Sequence, residues 1–416
     1  MIFNSSERAR LLIDQRRFKE AEEELKKCLS SDPNNPEVFS LLCICKWHEG
    51  KYDEAEDFIK SAISLAPANP YLLYIFSKVL LDQDKLDQAE KYIIEAISID
   101  PLVADFFGLR ASVFLQRKNW ELALHYANKG LALEPDNLGC LNIRSTALLK
   151  LDRKEESYDT IHEALHYDPE NPITHSNLGW GLLEKGDHKK ALVHFGKALQ
   201  IDPELEYAKH GLVESLKARY WIYRIFLKYA FWIGNMKSGA QWAILIGFFF
   251  GSKVLSFLAD RIPALNPFIL PFIILYILFA ISTWIIRPIT NLFLRLNVYG
   301  RYALTQTEIQ TSNFVGVSVC IGLISLLAYP FFMNDLLLYT GIFGLSMMIP
   351  LSSMLNPPKK NNKRMLIIYT SILGLIGVSG LFCFASGLEV AESLGIIYLI
   401  GIMLFQWVSN ALIIGR

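Results

Sequence analysis

Leu178-Gly-Trp-Gly-Leu-Leu-Glu-Lys-Gly186-Asp-His-Lys-Lys-Ala191-Leu-Val-His-Phe195-Gly-Lys-Ala198-Leu-Gln-Ile-Asp-Pro203 reads as one helix, a glycine turn and a second helix closed by Asp-Pro. Gly186 suits a helix C-terminus, and Pro203 cannot continue a helix. Ala191 and Ala198 stand seven residues apart, which puts both on one helix face. That face can approach a neighbouring helix closely, with Phe195 filling the space beside it.

Outward from this stretch the same punctuation recurs every 34 residues, at Pro33, Pro67, Pro101, Pro135, Pro169 and Pro203. Twelve residues before each proline stands a small residue: Ala21, Ala55, Ala89, Ala123, Ser157 and Ala191. Five residues before each stands another: Cys28, Ala62, Ala96, Gly130, Ala164 and Ala198. Leu25, Ile59, Ile93 and Ile161 take the place of Phe195, and Gly50, Asp84, Asp152 and Gly186 divide the units. A period of this length predicts stacked helical hairpins.

The spacing and residue pattern resemble the tetratricopeptide repeat (TPR) superfamily over residues 1–215, most clearly in the stretch quoted above. Arg16, Lys118 and Lys154 stand where that pattern has turn or aromatic residues, so copies one, four and five are expected to be less regular. The resemblance implies a right-handed superhelix whose first helices line a groove for peptides or partner proteins. Carried over by position, the groove includes Tyr71, Tyr74, Lys78, Ser112, Asn142, Thr146 and Trp180. Tyr71 and Tyr74 read equally well as packing between hairpins. The Lys and Asn clamp of chaperone-tail binders is absent, so a chaperone C-terminus is not the expected ligand.

The whole-chain charge of zero conceals two halves. Residues 1–214 hold 26 Lys and Arg against 36 Asp and Glu, whereas residues 215–416 hold 15 against 5. The polar start has no apolar run with a cleavage site, so the first half is expected to stay in the cytosol. The six cysteines are scattered and do not form a disulfide framework; most read as small buried packing residues.

From Pro203 to Ile233 no strong helix breaker intervenes, so residues 206–237 read as a capping and interfacial helix. Its segment Arg219-Tyr-Trp-Ile-Tyr-Arg-Ile-Phe-Leu-Lys228-Tyr-Ala-Phe-Trp232 mixes aromatics with cations, as helices at a membrane interface do. Trp221, Arg224, Lys228 and Trp232 are the expected interface residues; a simple continuation of the solenoid cap is the other reading. Residues 238–416 then carry apolar stretches at 240–258, 265–286, 313–332, 336–355, 365–386 and 393–413, each long enough to span. Arg287, Arg295, Arg301, Lys359, Lys360, Lys363 and Arg364 fall in alternate connections and place both termini in the cytosol by the positive-inside rule. Thr305 with Glu308 reads as a capping box opening the third span. The elbow and membrane half resemble a group of bacterial membrane proteins that pair TPR repeats with a polytopic domain, a resemblance that brings no activity with it.

The sharpest catalytic pattern is His162-Glu163-Ala164-Leu165-His166, an H-E-x-x-H match. Ala164 is the small packing residue of the fifth repeat, no strand is predicted to hold a substrate, and His175, His188 and His194 show no ligand spacing, so zinc proteolysis is the weaker reading. All eight histidines lie at or before His210, which leaves the spans no general base. The spans also lack acidic residues, which disfavours an ion-coupled carrier.

The sequence thus predicts an all-α protein: six TPR hairpins over 1–205, then a six-helix transmembrane bundle. The expected function is a non-enzymatic, membrane-anchored scaffold at the bacterial inner membrane, without cofactor or metal. Its partners are a cytosolic protein or peptide, the bilayer and a wider membrane-protein complex, not nucleic acid. A transporter or channel regulated by the solenoid is the alternative, favoured if Ser318, Ser325 or Asn410 line a polar cavity.

Overall fold

The computed structural model describes residues 2–236, 304–357 and 360–414, with positions 240, 247, 251, 254, 257, 261, 286 and 288–294 between them. The chain divides into two compact units. One takes Met1–Lys185, Val193–Ala208 and Gly234–Lys237; the other takes Gly186–Leu192, Lys209–Ile233 and Ser238–Arg416. Among the described residues all regular structure is helical.

Twelve helices follow in pairs: α1 (Ile2–Asp14) with α2 (Phe18–Ser31), α3 (Pro36–His48) with α4 (Tyr52–Leu65), and α5 (Pro70–Asp82) with α6 (Leu86–Ile99). The series continues with α7 (Ala104–Gln116) and α8 (Trp120–Leu133), α9 (Leu138–Lys150) and α10 (Lys154–Tyr167), and α11 (Pro172–Lys185) and α12 (His188–Ile201). Asparagine starts several first helices: the side chains of Asn35, Asn69 and Asn137 accept from backbone N–H groups of the opening turn. In each hairpin the turn places one residue in the left-handed region, with φ of 59° at Arg16, 73° at Gly50, 62° at Asp84, 56° at Lys118, 61° at Asp152 and 92° at Gly186. Copies one and four are therefore as regular as the rest in their turns. Arg16 and Lys118 adopt a conformation that disfavours a side chain by ~1–2 kcal/mol, held there by the helices on either side.

The predicted small residues lie where helices meet. Ala21, Ala55, Ala89, Ala123 and Ala191 are wholly buried, as are Ala62, Ala96 and Ala198. Ser157 fits the same place because its hydroxyl donates to Ser145 O at 2.8 Å. Gly130 stands where four other copies have alanine and the first has Cys28, because the Cys140 sulfur occupies the position that a Cβ would take. Cys28, Cys43, Cys45 and Cys140 are buried, as expected, whereas Cys320 is exposed and Cys383 is intermediate.

The single helix expected across 206–237 is two, α13 (Glu206–Lys217) and α14 (Trp221–Gly234). No proline or glycine marks the break. Tertiary contacts make it: the Tyr223 hydroxyl donates to Glu214, Lys217 Nζ donates to the same carboxylate at 3.3 Å, and Tyr220 Oη donates to Phe293 O at 3.2 Å. On α14, Tyr223 and Leu227 are buried while Trp221, Arg224, Lys228 and Trp232 are exposed.

Four further helices follow: α15 (Gln306–Phe332), α16 (Asp335–Ser353), α17 (Lys360–Ala385) and α18 (Val390–Ile414). The capping box at the start of α15 forms as expected: Thr305 Oγ1 accepts from Glu308 N at 3.2 Å, and Glu308 Oε2 accepts from Thr305 N at 2.9 Å. By length and composition these four can cross a membrane, four among the described residues against the six expected. The stretches 240–258 and 265–286, and Arg287, Arg295 and Arg301, lie outside the described residues apart from isolated positions. Apolar side chains point outward from these helices, among them Leu327 at 70%, Phe331 at 85%, Phe382 at 70% and Trp407 at 76% exposure. Such a surface is at odds with water on every side.

Adding a methyl group at Gly130 displaces Cys140, so Gly130→Ala should lower solenoid stability by ~1–3 kcal/mol, and Cys140→Ala in the same chain should restore part of the loss. Denaturation of the four chains of this cycle checks it; additive effects would show that the two residues do not share the space.

Candidate functional site

The repeat register places first-helix residues of successive hairpins side by side. On α3, α5 and α7 this gathers Trp47, Tyr71, Tyr74, Lys78 and Phe106. Tyr71 and Tyr74 stack with centroids 5.9 Å apart, and Tyr74 packs against Phe106 at 5.4 Å. Lys78 Nζ lies over the rings of both Trp47 and Tyr74, 5.3 Å from each centroid. Burial pushes the Lys78 ammonium below its ordinary pKa, against the pull of Asp105 and Asp82. Burial likewise raises the Tyr74 phenol. Asp82 is engaged elsewhere, accepting from Trp47 Nε1 at 2.7 Å.

The other expected groove residues have different company. Ser112 Oγ donates to Gly108 O at 3.1 Å, and Thr146 Oγ1 donates to Asn142 O at 2.9 Å. Asn142 is nearly buried; its amide nitrogen donates to Thr174 Oγ1 at 3.0 Å and its oxygen accepts from Asn177 Nδ2 at 3.0 Å. Trp180 sits edge-on to Phe195 at 5.5 Å and beside Tyr207 at 5.8 Å. Ser112 and Thr146 thus bond within their own helices, whereas Asn142 and Trp180 reach neighbouring ones. Only Tyr71, Tyr74 and Lys78 form one constellation, to which Trp47 and Phe106 are the additions the sequence reading missed. Trp47 stands one helical turn further along its helix than Lys78 along its own, a register step that the position-by-position reading passed over.

The H-E-x-x-H residues lie on α10. Glu163 faces Arg144 at 3.7 Å, and the His166 ring meets Tyr167 edge-on. Among the described residues no three His, Cys, Asp or Glu side chains converge as a metal site would need. The structure does pair two histidines that the sequence kept apart, His175 on α11 and His194 on α12, with Nδ1 atoms 3.2 Å apart. His175 Nε2 is 3.0 Å from Pro169 O, which can only accept. Nε2 therefore carries the proton of the neutral ring, and His194 Nδ1–H donates to His175 Nδ1. Burial pushes His194 down to about 4, with His175, Lys197 and His162 adding to it. Burial also lowers His175, while the bond to Pro169 O and the charge of Asp168 oppose the shift.

In the second unit, the Ser318 hydroxyl donates to Gly344 O at 2.5 Å across the α15–α16 contact. Ser325 is buried, and the Asn410 side chain lies outside what the structure describes.

Residues 12–64 and 46–113 match one tetratricopeptide repeat family and residues 172–205 a second. The solenoid is thus built of TPR hairpins. Similar solved structures include a thermophilic TPR protein of Thermus thermophilus, 17% identical over 44% of this chain and 98% of that one, with a TM-score of 0.41. PilF of Pseudomonas aeruginosa is 16% identical over 50% of this chain and 95% of its own, with a TM-score of 0.40. A TPR protein of Parabacteroides merdae is 14% identical over 51% and 82%, with a TM-score of 0.46. No curated protein matches the chain.

Two outcomes follow from this geometry. Lys78→Met should leave solenoid stability within about 1 kcal/mol, because relief from desolvation offsets the lost cation–π contacts; a large loss in thermal denaturation would make Lys78 a packing residue. For the histidine pair, folding favours the neutral rings. Their contribution is complete above the ordinary value of 6.5 and is lost as pH falls from 6.5 towards about 4. Hydrogen exchange in α11 and α12 should therefore quicken between pH 6.5 and about 4, and His194→Gln should flatten that change; the same slope in the variant would point to other groups.

Proposed function

We propose that the chain is a membrane-anchored scaffold whose TPR groove recruits a protein or peptide through Tyr71, Tyr74 and Lys78. The observation that carries this is the Lys78 ammonium, desolvated between two rings and without a carboxylate within ion-pair distance among the described residues. A partner carboxylate beside an apolar side chain would pair the ammonium and cover the exposed face of Tyr71. Charge-assisted bonds of this kind are strongest where water is excluded. Ser112, Asn142, Thr146 and Trp180 shape the rest of the groove wall in this reading.

The anchor is the set of apolar helices, with α14 lying in the interface through Trp221, Arg224, Lys228 and Trp232. Lys363 and Arg364 at the start of α17, with Glu389 and Glu392 by the start of α18, support by the positive-inside rule a solenoid on the cytosolic side of what we take to be a bacterial inner membrane. No catalytic group enters this reading.

In cells, crosslinking and mass spectrometry of the full chain should recover a defined partner set. Tyr74→Ala with Lys78→Ala should cut that recovery about tenfold, as expected when contacts worth ~1.4 kcal/mol are lost, and leave the protein in the membrane fraction. Unchanged recovery would sink the groove as the binding site.

A further inference from the structure

Between α16, α17 and α18 lies a cavity of about 500 Å³. That volume is within the range of small-molecule sites, ~300–1,000 Å³. It runs along the end of α17 and the start of α18, where the chain turns through Gly387, which is the end opposite Lys363 and Arg364. Its walls are aliphatic and aromatic, with Tyr339 and Phe384 packed edge-on at one side, centroids 4.7 Å apart. Two of its glycines leave room and a third does not. A Cβ on Gly395 would meet nothing within 4 Å, and one on Gly380 would only touch Leu394, whereas Gly377 is pressed against Phe343.

The cavity has polar groups at two levels. At its inner end Tyr398 Oη and Ser346 Oγ are 2.6 Å apart, and Ser346 Oγ donates to Phe343 O at 3.1 Å. The serine proton is thereby used, so the tyrosine donates, and the floor carries no free donor. At the mouth, in the first turn of α18, stands the carboxylate of Glu392. It has no hydrogen-bond or ion-pair partner among the described residues. From Glu392 to Tyr398 the helix rises ~9 Å, enough for a stretch of extended hydrocarbon.

We propose that this cavity holds one acyl chain of a membrane lipid whose headgroup carries a primary ammonium, with the ammonium paired to Glu392. An apolar slot with a lone carboxylate at its rim fits a long chain with a cationic end. A net anionic headgroup would meet the repulsion of Glu392 and of the nearby Glu389. The proposal rests on the reading of α15–α18 as membrane-spanning.

The test reconstitutes the full chain in vesicles doped with photoactivatable-acyl phosphatidylethanolamine, or with the phosphatidylglycerol or phosphatidylcholine analogue, and maps the labelled residues. Phosphatidylethanolamine should label 376–384 and 391–399 about tenfold more than either other lipid. Gly395→Phe and Gly395→Leu, which fill the slot, should abolish that labelling. Glu392→Gln should keep the labelling but lose the headgroup preference. Labelling of the outward residues Leu327, Phe331 and Trp407 reports separately that the helices lie in the bilayer. If those residues label and the slot does not, or if all three lipids label it equally, the lipid site is wrong. If the outward residues remain unlabelled, the spanning reading fails and takes the site with it.

Discussion

In the solenoid helices must come together at two points in every 34 residues with room for little more than a methyl group, and the molecule meets that demand in more than one way. Alanine does so in most copies. In the fourth, the space is divided differently: Gly130 gives up its side chain and Cys140 of the next hairpin fills it. In the fifth, Ser157 brings a hydroxyl into a dry contact and satisfies it on Ser145 O. What is held constant is the volume and the absence of an unpaired polar group, not the residue type. Because each hairpin packs mainly on its neighbours, a local change of residue is tolerated if the shared volume is kept.

That constraint explains which parts of the fold could be read in advance. Small residues at fixed offsets from proline are a periodic signal, so the hairpins and their number were legible. The turns at Arg16 and Lys118 were not, because a side chain in the left-handed region follows from the packing of the flanking helices and not from local preference. The break at Ala218–Tyr220 had no signal either, since Glu214, Lys217 and Tyr223 form its network only once the chain has bent. Position along the repeat brought out Tyr71, Tyr74 and Lys78, whose side chains the structure gathers into one cluster. Ser112, Asn142 and Thr146, reached by the same reasoning, have polar atoms bonded to neighbouring backbone and side chains, which position along the repeat does not reveal. The His175–His194 pair escaped because spacing on a single helix cannot show what a neighbouring helix brings.

The two units apply the same packing rules beneath different outer surfaces. In the solenoid the apolar residues are inside and the charged ones outside. In α15–α18 large apolar side chains face outward, and the helices meet through glycine and serine, as at Gly344 against Gly322 and Ser318. Close approach of small residues is the chief means by which helices associate when both solvent and side chains are apolar. Where tyrosine enters this interior its hydroxyl is bonded, Tyr398 to Ser346 and Tyr369 to Gly401 O at 3.0 Å. The shift from 26 basic against 36 acidic residues to 15 against 5 accompanies this change of outer surface.

Lys78 differs in kind from other lysines of the solenoid that are buried or half-buried. Lys46 meets Glu22 at 2.7 Å, Lys150 meets Glu184 at 2.8 Å, and Lys85 bonds to Glu56. An acidic residue is at hand for Lys78 as well, since Asp82 follows it by four residues on the same helix, the spacing at which helix ion pairs form. Trp47 prevents the pairing by donating its indole N–H to Asp82 while laying its ring against the ammonium. The neighbouring hairpin thus withholds the intramolecular partner and desolvates the cation in one step. A side chain retained only to fill space would gain from the ion pair. Holding the charge apart from Asp82 accords with the proposed partner carboxylate.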